Sequence, residues 1–305
     1  MIEVTDPGRH TSIQDRGRPG YERFGVGQGG AADWFSAAVG NRLVGNHPDA
    51  AVLEFAAVAP SLMFHEAAAI AITGATLSAS HLVEDQPPWQ THRIEANRMI
   101  AGGKLNPGLR GYLAVRGGID VPMVLGSRSL CERGAFGGGY GRLLRAGDAL
   151  PIGDRIQAQP IRRWPIGHRP PPFGPWELRV MAGPHRDAFP PDALDRLCAI
   201  ACVVTPAIDR MGLRIAAPGL RLRPAEILTT PITSGAIQVT PSGQLIAMLV
   251  DYPTTGGYPV LATVIHADIP LLAQARPGDT IRLREVGVEE ARRGLNRLLG
   301  WLADE

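Results

Sequence analysis

Short apolar runs separated by glycine- and proline-rich turns dominate the chain, and helical spacing is rare. The clearest pattern is at 235–264, GAIQVTPSGQLIAMLVDYPTTGGYPVLATV. Ile237 and Val239 alternate with Gln238 and Thr240, which predicts a half-buried strand. Pro241-Ser242-Gly243 predicts a tight turn, proline fixing one φ and glycine accepting a positive one. Residues 245–250 read as a buried strand ending on Asp251. The segment Thr254-Thr255-Gly256-Gly257-Tyr258-Pro259 is too rich in glycine and hydroxyls for core. It reads either as a loop whose backbone approaches a ligand or as an ordinary hairpin connection.

Helical periodicity marks three segments, 32–43, 191–201 and 288–299, and the rest reads as β. The prediction is a mainly β protein with a few helices. Residues 162–176, RRWPIGHRPPPFGPW, hold five prolines and predict an extended connector between domains at 1–161 and 177–305. The halves echo one another. Arg145-Ala146-Gly147-Asp148 matches Arg276-Pro277-Gly278-Asp279, and Asp15-Arg16-Gly17 matches Asp209-Arg210-Met211-Gly212, so a duplicated pair of β-barrel-like domains is expected.

Composition narrows the function. Charged residues are 20% of the chain and net charge is +2, without basic runs, so no nucleic-acid footprint is expected. No signal-peptide pattern and no membrane-length apolar run is seen, which makes the cytoplasm the expected location. Cys131, Cys198 and Cys202 lack metal or redox spacing; Cys198 and Cys202, four apart, read as apolar groups on a helix. No metal site is expected. The usual Met-Lys-Met context is absent, so no covalently attached biotin is expected either.

Candidate chemistry clusters around arginines, carboxylates and glycines. Asp15 with Arg16 or Arg18 reads as an anion-orienting group or as a capped turn. The glycine loop 25–30 leads into the first helix, whose positive end favours anions. Arg128 precedes a second glycine-dense loop, 133–142, which reads as an electropositive lid or as a plain hairpin. Glu54 stands among apolar strand residues, either buried with a partner or facing solvent from an edge strand. His266 near Asp268 could carry a proton, or simply end a strand.

The segments TSIQDRGRPGYERFGVGQGGAAD, YLAVRGGIDVPMVLGSRS, GAFGGGYGRLLRAGD, DRMGLR, GAIQVTPSGQ, DYPTTGGYPVLATV and LAQARPGD occur in order over nearly the whole chain. In these the sequence resembles the family of allophanate hydrolase subunit 2 and the 5-oxoprolinase C subunit (PxpC, KipA), a module also found in the carboxyltransferase region of urea carboxylase. The resemblance implies two cyclophilin-like β-barrel domains. It implies an ATP-dependent amide or lactam hydrolase component that opens 5-oxoproline to glutamate, using ATP with or without Mg. Partners implied are a subunit 1 (PxpB/KipI-type) protein and a PxpA-type third subunit. Alternatives are carboxyl transfer from biotin to a urea-like amide, and a non-catalytic regulatory role of the KipA kind. The chain departs from the family pattern at Asp251-Tyr252-Pro253 (Asp-Arg-Gln in the family), at Thr233-Ser234-Gly235 (Ser-Glu-Gly) and at Thr240-Pro241-Ser242-Gly243 (Pro-Pro-Asp-Gly). On this basis Asp15, Asp209, Asp251 and Gln238 are the expected catalytic residues. Arg16, Arg128, Arg210, Thr254, Thr255 and Tyr258 are the expected anion- and substrate-binding residues.

Overall fold

The computed structural model describes residues 1–75, 87–153, 161–170, 176–222 and 225–304. The chain divides into two compact units. One comprises Met1–Arg18, Gly29–Pro172 and Asp304–Glu305; the other comprises Pro19–Gln28 and Phe173–Ala303. The chain therefore leaves the first unit after Arg18 and re-enters it at Gly29. Residues 171–175 of the proline-rich segment lie outside the described residues. Residues 161–170 belong to the first unit, where Trp164 is buried edge-on against Phe35 and its backbone N–H donates to Trp89 O.

In the first unit, β1 (Ile2–Asp6), β2 (Ser12–Gln14), β3 (Val52–Ala56), β4 (Ser61–Phe64), β5 (Ala68–Gly74), β6 (Thr91–Ile94), β7 (Arg98–Ile100), β8 (Arg110–Val115) and β9 (Ala149–Leu150) form two sheets. Their orders are β7-β4-β1-β9 and β2-β3-β8-β5-β6. Ile2, Val4, Leu62 and Phe64 from the first sheet meet Ile13, Leu53, Phe55, Ile70 and Leu113 from the second in one buried cluster. Helix α1 (Trp34–Leu43) covers the other face of the five-stranded sheet. Gly40 permits this approach, for a Cβ there would stand 3.1 Å from Thr73 Oγ1 and 3.3 Å from Ala114 Cβ. Asp33 caps α1 by accepting from Ser36 N at 2.9 Å.

Within the same unit His92 is buried on β6, and burial lowers its pKa below 6.5. The unfolded chain thus accepts a proton that the fold resists. Stability is full above pH 6.5 and falls as pH drops from there to the depressed folded pKa. His92→Gln is expected to flatten this limb by up to about 1.4 kcal/mol per pH unit, read as the difference between denaturation curves of the two proteins.

The second unit closes as a seven-stranded barrel. Its strands are β10 (Trp176–Ala182), β11 (Ala201–Ile208), β12 (Gly212–Ala216), β14 (Ala236–Val239), β15 (Leu245–Met248), β17 (Val260–Val264) and β18 (Thr280–Glu285); β13 (Thr230–Pro231) and β16 (Thr255–Gly256) pair separately. Barrel order is β10-β17-β14-β15-β12-β11-β18, with β18 returning parallel to β10. Three helices accompany it: α2 (Ala193–Cys198), α3 (Ile269–Gln274) and α4 (Val288–Asp304). At Gly183 a Cβ would collide with the Val260 carbonyl and stand 2.7 Å from Leu261 C, both backbone atoms that cannot swing aside. Gly183→Ala should therefore destabilise this unit by about 1–3 kcal/mol, measurable by chemical denaturation.

Two expectations change. Cys198 ends α2 and Cys202 lies on β11, so they do not share a helix. The β-branched run Val203-Val204-Thr205 switches the chain to strand just after Ala199 closes the helix. Helix α4 continues to Asp304 because Leu302 extends the apolar face beyond Leu298 at helical spacing.

The R-x-G-D echo is structural down to single hydrogen bonds. Asp148 accepts from Arg145 N and Asp279 from Arg276 N, both at 2.8 Å. Gly147 N donates to Val4 O as Gly278 N donates to Val204 O, and Val4 N and Val204 N return bonds to Asp148 O and Asp279 O. Both glycines have φ near 90°, at 87° and 90°. Each turn thus splices the last strand of its unit to an early one, β9 to β1 and β18 to β11. Among the described residues, no helix is long and apolar enough to cross a membrane.

Candidate functional site

In the first unit the site residues converge on Asp15, which follows β2 directly. Its carboxylate accepts four hydrogen bonds. Oδ1 takes Gly17 N at 2.8 Å and the hydroxyls of Ser127 and Ser129 at 2.6 Å each, and Oδ2 takes Arg128 N at 2.6 Å. Asp15 N in turn donates to Ser129 Oγ at 2.8 Å. The carboxylate is thereby the hub of the Ser127-Arg128-Ser129 loop. The arginines beside it are directed elsewhere. Arg16 is exposed and meets Asp49 at 3.3 Å. Arg128 folds back, Nε donating to Val121 O at 2.9 Å and Nη2 to Asp120 at 2.6 Å. Arg18 is buried, donates to Ser129 O, and its guanidinium lies 5.0 Å from the Phe136 ring centre.

The loop 133–142 is tied down at its start and middle, while residues 133–135 and 139–140 are exposed. Gly138 N donates to Arg128 O, and Cys131 and Phe136 exchange backbone bonds. At Gly137, with φ of 72°, a Cβ would collide with Ser129 O, so only glycine lets the two segments touch. Arg142 is given to Asp148 through two bonds, of 2.7 and 2.8 Å, and its cation is thus neutralised locally. Its partnership with Asp148 holds that carboxyl below the usual carboxylate range.

The start of α1 is likewise filled from within. Glu54 is buried on the interior strand β3, resolving its two readings in favour of burial. Its Oε2 accepts from Ala32 N at 2.8 Å and from Tyr112 Oη at 2.9 Å, and Arg110 Nε lies 3.9 Å from Oε1. Burial, foremost, and the neighbouring carboxylates push the Tyr112 hydroxyl well above its ordinary pKa.

In the second unit Arg210 and Asp251 form a two-point ion pair, Nε to Oδ2 at 2.8 Å and Nη2 to Oδ1 at 3.1 Å. A backbone bond from Asp251 N to Arg210 O reinforces it. Asp209 is exposed and shapes the β11–β12 turn, accepting from Met211 N at 2.7 Å and Gly212 N at 3.0 Å. Gln238 faces away from the barrel interior, because Ile237 and Val239 beside it fill that interior. Its Nε2 donates to Tyr258 O at 2.9 Å.

A flap over β14, β15 and β17 explains why every residue of β14 is buried where alternation predicts half. Residues 230–232 pair with 254–256, β13 against β16, and Ile232 N donates to Thr254 O. Beneath this ribbon Ile232, Ala236, Met248, Tyr252 and Val260 form a small core. Tyr252 is thus a flap-core residue: its burial, and then the negative charge of Glu22, raise its hydroxyl pKa. Gly27 of the Pro19–Gln28 segment lies against the Tyr252 carbonyl, 3.3 Å from where a Cβ would be. Thr255 and Tyr258 are exposed on the flap, and Thr254 is half-buried.

His266 is exposed on a short 3-10 turn, whereas Asp268 is buried and accepts from Arg179 N, Nε and Nη2 at 2.7, 3.0 and 2.6 Å. Sequence reasoning passed over Ser127 and Ser129 as partners of Asp15, and Tyr112 altogether. The Ser-x-Ser spacing was a usable signal for the first two; nothing local marks Tyr112.

Comparisons with known proteins match the chain to a family. Residues 24–285 match the model "carboxyltransferase domain, subdomain A and B". The chain is 34% identical to the 5-oxoprolinase C subunit of Escherichia coli (strain K12), over 95% of this chain and 93% of the relative. It is also 34% identical to urea amidolyase of Lachancea kluyveri, over 95% of this chain but only 17% of the relative. Among solved structures, TTHA0988 aligns with a TM-score of 0.84 at 35% identity, covering 93% of this chain and 55% of that one. The K. lactis urea amidolyase aligns with a TM-score of 0.91 at 30% identity, over 99% of this chain and 20% of that one. The chain thus spans about half of the TTHA0988 chain and a fifth of the amidolyase.

Proposed function

The chain belongs to the carboxyltransferase-domain family of subdomains A and B, and from that premise we propose that it is the C-type subunit of a 5-oxoprolinase. In this reading 5-oxoproline, ATP and water give glutamate, ADP and phosphate in a hetero-oligomer with a PxpB-type subunit and a PxpA-type third subunit. The observation that carries the reading is coverage. The chain matches the stand-alone C subunit over 93% of that protein's length, and urea amidolyase over only 17%.

Four arginines at or near the candidate residues make a poor fit to a polyphosphate. Arg16, Arg128, Arg142 and Arg210 are each directed to a carboxylate of the chain itself. The start of α1 is filled by Asp33 and Glu54. We therefore assign ATP to a partner protein of the complex, and to this chain the holding of the lactam substrate. Arg210, kept in one orientation by Asp251, would bring its positive charge to the substrate carboxylate. Thr254, Thr255 and Tyr258 lie on the flap above Gln238, where backbone groups can approach a small amide.

Co-expression with the partner subunits tests the reading: the purified complex should convert 5-oxoproline to glutamate only when ATP is supplied, with avidin having no effect. No glutamate, but avidin-sensitive carboxylation of urea when bicarbonate, ATP, a biotin carboxylase and its biotin carrier are supplied, would instead support carboxyl transfer from biotin, the reading favoured by the family's description and the amidolyase relatives. A complex that folds and assembles yet does neither would point to the regulatory role.

A further inference from the structure

A row of buried polar side chains crosses the five-stranded sheet beneath α1, and neither the core nor the proposed chemistry uses it. Ser12 on β2 stands opposite Glu54 on β3, Glu54 opposite Tyr112 on β8, and Tyr112 opposite Thr73 on β5. All four are at most 3% exposed. The residues between them, Ile13, Leu53 and Leu113, point into the hydrophobic cluster instead. An apolar row would cover α1 as well and would escape the cost of burying a carboxylate and a phenol, so the polar groups must serve something specific.

What they hold is the point where the chain re-enters the first unit. Three successive backbone N–H groups each have their own acceptor: Ala31 donates to Asp15 O at 2.9 Å, Ala32 to Glu54 Oε2 at 2.8 Å and Asp33 to Tyr112 Oη at 2.8 Å. The phenol in turn donates its own proton to Glu54 Oε2 at 2.9 Å. Just upstream, Gly30 lies so close to the Asp15 loop that a Cβ would be 2.8 Å from the Arg16 carbonyl carbon and 2.9 Å from Gly17 N. Residues 31–33 and the Asp15 turn are therefore fixed as one body, and residues 19–28 join its two parts along the chain.

We propose that Glu54 and Tyr112 are positioning residues: a buried clamp on residues 31–33 that sets the exit of the 19–30 strap and, with it, the Asp15 turn. Tyr112 is the hinge of the clamp because one hydroxyl serves both Asp33 N and Glu54. The clamp's consequence for turnover rests on the function proposed above; the clamp itself does not.

Tyr112→Phe removes only that hydroxyl, and Thr73→Val serves as a comparison under the same helix. Thr73 Oγ1 donates to Ser36 O at 2.6 Å, inside α1 and not at its entry. Amide hydrogen exchange of the isolated chain should be about tenfold faster over 19–33 in Tyr112→Phe, with β1 and β4 exchanging as in the wild type. Thr73→Val should lower the melting temperature comparably yet leave exchange over 19–33 unchanged. In the assembled enzyme Tyr112→Phe should lower kcat about tenfold with KM within about twofold, and Thr73→Val should change neither. Unaltered exchange over 19–33 in Tyr112→Phe overturns the clamp. Equal loosening by both variants also overturns it, since that shows a generic contribution to stability. Faster exchange with unchanged kcat overturns its role in positioning, and a wild-type complex without any turnover rejects the function while leaving the exchange result decisive for the clamp.

Discussion

Asp15→Ala is expected to cost the first unit about 3–4 kcal/mol, the largest single effect among the candidate residues. Four donors lose their acceptor at once: Gly17 N, Arg128 N and the hydroxyls of Ser127 and Ser129. A bond to a charged acceptor is worth about 1.5–3 kcal/mol; because Asp15 is half-buried, water replaces part of what is lost. At roughly 2–4 °C per kcal/mol for a unit of this size, melting should fall by about 10 °C. Asp15→Asn separates the carboxylate's structural role from proton transfer. Three donors converge on Oδ1 and only Arg128 N on Oδ2, so an amide oriented with its oxygen inward keeps three bonds and opposes one. It should lose about half as much stability as Ala. A melting temperature within about 2 °C of wild type for Asp15→Ala, measured by scanning calorimetry, would contradict this.

The second large effect belongs to the Arg210–Asp251 pair. Its side chains are only 14% and 21% exposed, so removing either takes a partner from a charge held largely out of water. Asp251→Ala should destabilise the second unit by about 2–3 kcal/mol, and the double replacement with Arg210→Ala should cost less than the sum of the singles by about 1–2 kcal/mol. Activity should fall further than stability. Losing the two-point geometry frees the guanidinium to rotate, and a misplacement near 1 Å costs about a hundredfold in rate. Arg210→Lys keeps the charge but not the fork and should lose most of that activity. Additive stabilities, or a fully active Arg210→Lys complex, would show that the pair is merely a surface contact.

The β-rich class and the three main helices were legible because alternation and helical spacing are local. The likeness of the two R-x-G-D turns was legible, since each letter has a fixed role, the aspartate accepting from the arginine N–H and the glycine supplying a positive φ. What lay beyond reach was long-range pairing. Arg16 and Arg128 read as anion binders because a sequence shows charges without showing that Asp49 and Asp120 meet them. The flap over β14 is a tertiary cover that alternation cannot register, and it turned an expected half-buried strand into a buried one. Tyr252 illustrates the same limit. It looked like a lost polar group, but it fills the flap core. Helix α3 escaped notice because Pro270 near its start and its six-residue length leave no periodicity to read.

Substrate-dependent ATP turnover by the assembled complex tests the central claim most directly. With all subunits present, 5-oxoproline should stimulate ADP release at least about tenfold over the basal rate, with one glutamate formed per ADP. Omitting this chain, or supplying it as Asp251→Ala, should abolish the stimulation. A complex that assembles fully yet releases ADP at the same rate with and without 5-oxoproline would contradict the account.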